Sequence, residues 1–160
     1  MVAVSLTVAG DAATIARLSR AHQSLFAAVK TALTVEAAAL KARVQEKLSG
    51  EVLQVRSGRL RDAVTANIEI DGDVAHATVA VEGIPYAAIQ EYGGTVHLPE
   101  IVAERAKALA FEIKGEQVFA ARARAHDVVI PQRSYLRSSL AERSDAIAAA
   151  LRDAMAANGE

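Results

Sequence analysis

The sequence predicts an α+β protein, an antiparallel sheet with a long N-terminal helix and a C-terminal helix packed on one face. Three observations predict it. Residues 12–48 place apolar side chains at three- and four-residue steps, the spacing of one helix face. Residues 64–81 alternate apolar and polar around an Asp-Gly pair, the spacing of a hairpin. A second helical stripe closes the chain, so strands lie between flanking helices instead of alternating with them. At 160 residues the chain fits a single domain, 1–160, with a frayed polar tip at 157–160.

Each element has its own signal. Val2, Val4, Leu6 and Val8 alternate with Ala3, Ser5 and Thr7, the period of a half-buried strand. Gly10-Asp11 stops that strand, and the Asp11 carboxylate suits the N-cap of the helix that follows. Ile15, Leu18, His22, Leu25, Val29, Leu33, Glu36 or Ala37, Leu40, Val44 and Leu48 mark one face of this helix. Unbroken, it extends about 55 Å at about 1.5 Å per residue. The β-branched Thr31, Thr34 and Val35 are the place for a kink. Ser49-Gly50 ends the helix, glycine being free to take the left-handed cap. A loop follows that carries Val52, Leu53 and Val55 without local apolar partners. Ser57 to Asp62 then reads as a turn of helix capped by Ser57.

The hairpin sets Val64, Ala66, Ile68 and Ile70 against Ala75, Ala77, Val79 and Val81, with Asp71-Gly72 as its turn. Pro85 opens a short helix from Tyr86 to Tyr92, closed by Gly93-Gly94. Thr95 to Leu98 is a short strand, and residues 99–107 form a charged insertion. Residues 108–113 and Gln117 to Val129 pair as a second hairpin across Lys114-Gly115-Glu116. Pro131 ends the sheet. From Ser134 to Ala156 a last helix aligns Leu136, Leu140, Ile147, Leu151 and Met155.

Composition narrows the function classes. The chain is 52% hydrophobic and 23% charged, enough to pack an interior, but only 4% aromatic and without Trp. A net charge of −1 removes any general attraction to polyanions and leaves only local basic patches. Without cysteine there is no disulfide framework, thiol catalysis or Cys-ligated metal. No apolar run approaches the length of about 20 residues that a membrane span needs, and the N-terminus lacks a signal-peptide pattern. A soluble protein with no membrane partner is expected.

A search for chemistry finds little. His22 lies on the apolar stripe, His76 on the solvent phase of a hairpin strand, His97 near a strand end and His126 in a late strand. No two share helical ligand spacing, and neither HExxH nor paired carboxylates occur. Gly93-Gly94 follows a helix instead of opening one, so it is no phosphate cradle. Ser134, Ser138 and Ser139 have no matching His–Asp arrangement. The expectation is no catalytic residue, metal or cofactor. Two basic clusters remain. Arg56, Arg59 and Arg61 surround the Ser57-Gly58 turn. Arg122, Arg124 and His126 share one face of the late strand, opposite Phe119, Ala121, Ala123 and Ala125. A solvated strand face over a buried one explains this pattern. So does a surface that pairs with acidic groups on another subunit or faces DNA.

Three stretches, in order across residues 40–150, resemble one family. Leu48-Ser49-Gly50 followed by Leu53-Gln54-Val55-Arg56-Ser57-Gly58-Arg59-Leu60-Arg61 resembles a "TG-x-L-R" signature, with Ser57 where Thr is usual. Pro85-Tyr86-Ala87-Ala88-Ile89-Gln90-Glu91-Tyr92-Gly93-Gly94 resembles "Y-A-x-x-x-E-x-G". Ile130-Pro131-Gln132-Arg133-Ser134-Tyr135-Leu136-Arg137 resembles "I-P-x-R-x-[FY]-L" ahead of the final helix. Together they are similar to phage tail-completion (head–tail joining) proteins, the virion-morphogenesis family of lambda-like and Mu-like tailed phages. The chain departs from it in having Ser134 where Pro is frequent and in lacking a Pro-Gly-Trp-type loop.

The resemblance implies a non-enzymatic α+β subunit that forms a ring, commonly sixfold, at the head-proximal end of a tail. Its partners would be further copies of itself, head-closure or adaptor proteins, and tail terminator or tail tube proteins. Non-specific contact with genomic DNA would occur in the channel. The virion is the expected location, with host cytoplasm during assembly. A tail terminator, a head-closure protein, a nucleic-acid module using the Arg122/Arg124 strand, and a small enzyme are the competing readings. For a ring, the loop at Val52, Leu53, Val55 and Arg56 with Arg59 is the expected arm. The 134–156 helix or the Arg122/Arg124 strand is the surface expected to receive it.

Overall fold

A computed structural model of the chain describes residues 10–53, 57–102, 108–113 and 115–157. The expected N-terminal strand over Val2 to Val8 and the tip 158–160 lie outside the described residues, as do Val55, Arg56 and residues 103–107. The protein is α+β. Its described residues gather into two compact units. One joins Met1–Ile84 with Tyr135–Glu160, and the other is Pro85–Ser134.

In the first unit, helix α1 spans Ala12–Glu46. Asp11 caps it as predicted, its Oδ1 accepting from the Ala13 N–H at 3.2 Å. The kink expected near Thr31 is absent. Thr31 and Thr34 each donate their hydroxyl to a carbonyl four residues back, on Ala27 at 2.9 Å and Lys30 at 2.8 Å, so the β-branched residues stay helical. The helix widens into a π-helical turn, Lys47–Glu51, in which Gly50 takes φ 132°. Helix α2, Arg59–Asp62, has Gly58 at its N-cap with φ 71°, so Ser57 is not the cap that the sequence suggested.

Strands β1, Val64–Asp71, and β2, Val74–Val81, form the predicted hairpin, with Val64 facing Val81 and Ile70 facing Ala75. Asp71 pairs with Val74, so the two turn residues are Gly72-Asp73, one position later than expected. Glycine therefore fills the first turn position, at φ 57°. Helix α4, Leu136–Ala156, runs antiparallel to α1: Arg143 pairs with Glu36, while Ser138 and Glu142 meet Lys47. Its packed face matches the predicted stripe in part, at Leu136, Ile147 and Leu151, which are half-buried. Ser139 is fully buried, with Leu136, Arg143 and Ile147 half-buried beside it, whereas Leu140 and Met155 are exposed. The Ser139 hydroxyl is satisfied within the helix, donating to the Tyr135 carbonyl at 2.6 Å. The core is Val44, Leu48, Val64 and Tyr135, surrounded by Leu40, Leu53, Leu60, Val79, Val81 and Leu136.

The second unit holds α3 (Ala87–Tyr92) and six short strands: β3 (Gly94–Leu98), β4 (Ile101–Val102), β5 (Leu109–Ile113), β6 (Glu116–Ala120), β7 (Arg122–Ala123) and β8 (His126–Ile130). Among the described residues the antiparallel pairing takes the form of four two-stranded sheets, β1–β2, β3–β8, β4–β7 and β5–β6. The long strand expected from Gln117 to Val129 is thus three. At Leu109 facing Ala120 the partner strand runs out, and the chain turns to β4 and then to β3.

Candidate interaction surface

The second and third family-like stretches meet inside the second unit. Gly93 closes α3 at φ 71°, and a Cβ there would stand 2.7 Å from the Gln132 nitrogen and 3.0 Å from the Ile130 oxygen. Only glycine fits. The Arg133 N–H donates to the Gln90 carbonyl at 2.9 Å, and the Ser134 hydroxyl donates to Glu91 Oε1 at 2.7 Å. Glu91 is buried, so its carboxylate is a fastening and not a surface group. Ala87 is buried as well, while Tyr86, Pro131 and Arg133 are exposed. In the first unit, Leu60 and Leu136 pack on the core that Tyr135 helps form. Arg61 Nε pairs with Asp62 at 2.9 Å, and the Arg61 carbonyl accepts from Gln45 at 3.2 Å. Most motif residues therefore hold the fold.

The expected arm is corrected. Val52 and Leu53 are half-buried, and Leu53 packs against the core, so neither extends as a free intersubunit loop. Hydrophobic contact wins here because the π-helical turn brings Leu53 back over Leu48. Arg59 is exposed. A charge network holds the turn in place. Arg43 bonds Glu51 at 2.7 and 2.9 Å, Glu46 at 2.9 Å and Glu142 at 2.9 Å. The ammonium of Lys47, on a buried side chain, bonds Glu142 at 2.6 Å and Ser138 at 2.7 Å. Lys47 and then Arg43 hold the Glu142 carboxyl below its ordinary range, and the three carboxylates raise Arg43 further.

The basic strand is exposed as predicted, but its opposite face is not buried. Arg122 and Arg124 both face solvent, with Arg122 only 3.6 Å from Glu100 and the Arg124 carbonyl 3.0 Å from His126 Nδ1. Phe119, expected inside, is 64% exposed. On the β3–β8 pair, Val129 is 74% exposed beside Thr95, and the facing His97 and Asp127 bond at 2.7 Å. Ile101 and Val102 of β4 are exposed as well. A shallow hollow of about 260 Å³ on β5–β6, lined by Ala110, Phe111, Glu112, Gly115 and Gln117, brings no set of titratable groups together. Exposed apolar side chains on short, open-edged strands are what this unit presents.

Comparison of the chain with family models, curated proteins and solved structures finds no match.

Among the described residues no helix is long and apolar enough to cross a membrane, and no three His, Asp or Glu side chains gather as a metal site would require. Two features escaped the sequence reading. The Arg43–Lys47–Glu142 network joins residues far apart in the chain, and no local pattern announces such a pairing. The exposed N-terminal half of α1 was hidden by its own regularity, because its stripe continues the one that is buried further along.

Proposed function

We propose that the chain is a structural virion protein, a ring-forming subunit at the head-proximal end of a phage tail that completes the tail and joins it to the head. The observation that carries the assembly role is the apolar surface of residues 85–134. Phe119, Val129, Ile101 and Val102 stand in solvent on two-stranded sheets that are marginal until something covers them. A neighbouring subunit or neck protein supplies that cover. The kind of assembly comes from the three ordered stretches that resemble tail-completion proteins. Two of them lock together through Gly93, Gln90–Arg133 and Glu91–Ser134, as parts of one local design would.

In this reading the partners are other copies around a ring, commonly sixfold, and the adaptor, head-closure, terminator or tube proteins of the neck. Arg122 and Arg124 face acidic groups or genomic DNA in the channel. The test is an early stop codon in this gene in its phage, with negative-stain microscopy of the lysate. Separate DNA-filled heads and unattached or aberrant-length tails are expected. Intact infectious particles would overturn the reading.

A further inference from the structure

We infer that copies of this chain meet through the N-terminal half of α1, whose apolar stripe receives the β1–β2 hairpin end of a second copy. The inference deepens the ring reading and rests on it for the occupant being another copy.

The stripe that packs at Ala37 and Val44 continues toward the N-terminus through Leu25, His22, Leu18 and Ile15. From Ala12 to Ser24 every residue is exposed, Ile15 at 58% and Leu18 at 67%. A helix keeps such a stripe in water only at a cost of about 25 cal/mol per Å² left uncovered. At 3.6 residues per turn, Arg17 and Lys30 fall on opposite margins of the stripe. Residues 12–35 carry Arg17, Arg20 and Lys30 and no Asp or Glu, a charge of +3.

The hairpin end has the complementary character. Ile70 and Val74 flank its turn at 45% and 52% exposure. Residues 64–81 carry Glu69, Asp71 and Asp73 and no Lys or Arg, a charge of −3. Among the described residues, Arg17, Arg20, Glu69 and Asp71 enter no ion pair with one another or with other groups. Within one chain the turn places Asp73 3.5 Å from His22, and the two turns of helix before His22 are exposed. Exposed apolar groups flanked by opposite charges on one molecule suit a contact between copies.

The chain has no cysteine, so single cysteines report the contact cleanly. Leu18→Cys and Val74→Cys are introduced in separate full-length preparations, one tagged, then mixed and gently oxidised. The mixed disulfide should exceed, several-fold, both homodimers and a control mixture with Ser49→Cys in the π-helical turn that follows α1. Raising salt from about 0.1 M to about 1 M shortens the Debye length from about 10 Å to about 3 Å and should lower the yield. Arg17→Glu with Arg20→Glu should lower it too, and Asp71→Lys with Asp73→Lys in the partner should restore it. Yields no higher than the control would overturn the inference. So would a mixed disulfide that appears only after residues 1–9 are removed, which would assign the stripe to that segment. Suppression by duplex DNA that depends on Arg17 and Arg20 would assign it to nucleic acid. Sedimentation that shows higher oligomers without this disulfide would sink the contact and leave the ring reading standing; the stop-codon lysate decides that reading separately.

Discussion

In the unit of residues 1–84 and 135–160, Val44, Leu48, Val64 and Tyr135 are shut away from water and ringed by six more apolar side chains. In the unit of residues 85–134, Ala87 and Glu91 are the buried residues among those described, and Phe119 and Val129 lie open. Both regions are similarly rich in apolar residues. What differs is layering: two helices and a hairpin close on each other in the first, while the second spreads its apolar groups over three two-stranded sheets. The closed core therefore lies in the first region, and the second leaves its apolar groups in solvent.

The largest effect expected is in the core. Tyr135→Ala should lower stability by about 3–5 kcal/mol in denaturant melts, because a large buried ring leaves a cavity. An effect below about 1 kcal/mol would place the core elsewhere. Gly93→Ala comes next. A left-handed φ costs a non-glycine residue about 1–3 kcal/mol, and here the new methyl also meets backbone at 2.7 Å. Gly72→Ala shares the positive φ but meets nothing within 4 Å, so it should cost about 1–2 kcal/mol. If Gly72→Ala proves the more damaging, the close packing of α3 on the Ile130–Gln132 backbone is wrong.

A smaller, pH-dependent effect follows from Glu142. Its carboxyl is held low by Lys47 and Arg43, Arg43 also bonding Glu46 and Glu51. A depressed carboxylate contributes stability above the ordinary glutamate range and loses it as pH falls through the lowered folded value. Glu142→Gln should therefore melt earlier than the parent at neutral pH and converge with it in acid. A gap that stays constant with pH would mean the network contributes nothing electrostatic. Smallest of all, Phe119→Ala and Val129→Ala should each change stability by less than about 0.5 kcal/mol, while Val129→Asp with Phe119→Asp should abolish assembly in a complementation assay. Unchanged assembly would remove residues 85–134 from the interface.

Where a pattern is local, the sequence shows it. The α1 period, the Asp11 cap, the existence of the β1–β2 hairpin and the strand limit at Pro131 all follow from neighbours a few residues apart. What depended on tertiary choice was not legible. The 117–129 run alternates smoothly, yet it changes partner twice because β5 ends at Leu109. Val52 and Leu53 look exposed until the π-helical turn folds Leu53 onto the core. Ser139 looks like a solvent-facing polar residue beside the apolar stripe, although it is fully buried. Of the candidate surface, Arg59, Arg122 and Arg124 were found by charge, whereas Phe119 was placed on the buried face by alternation alone.

Hydrogen exchange followed by mass spectrometry on the isolated protein tests the contrast most directly. Amides around Val44, Leu48, Val64 and Tyr135 should be protected, while those of β3–β8 and β5–β6 exchange fast and slow down only in the assembled neck. Equal protection of both regions in the isolated chain would contradict the account.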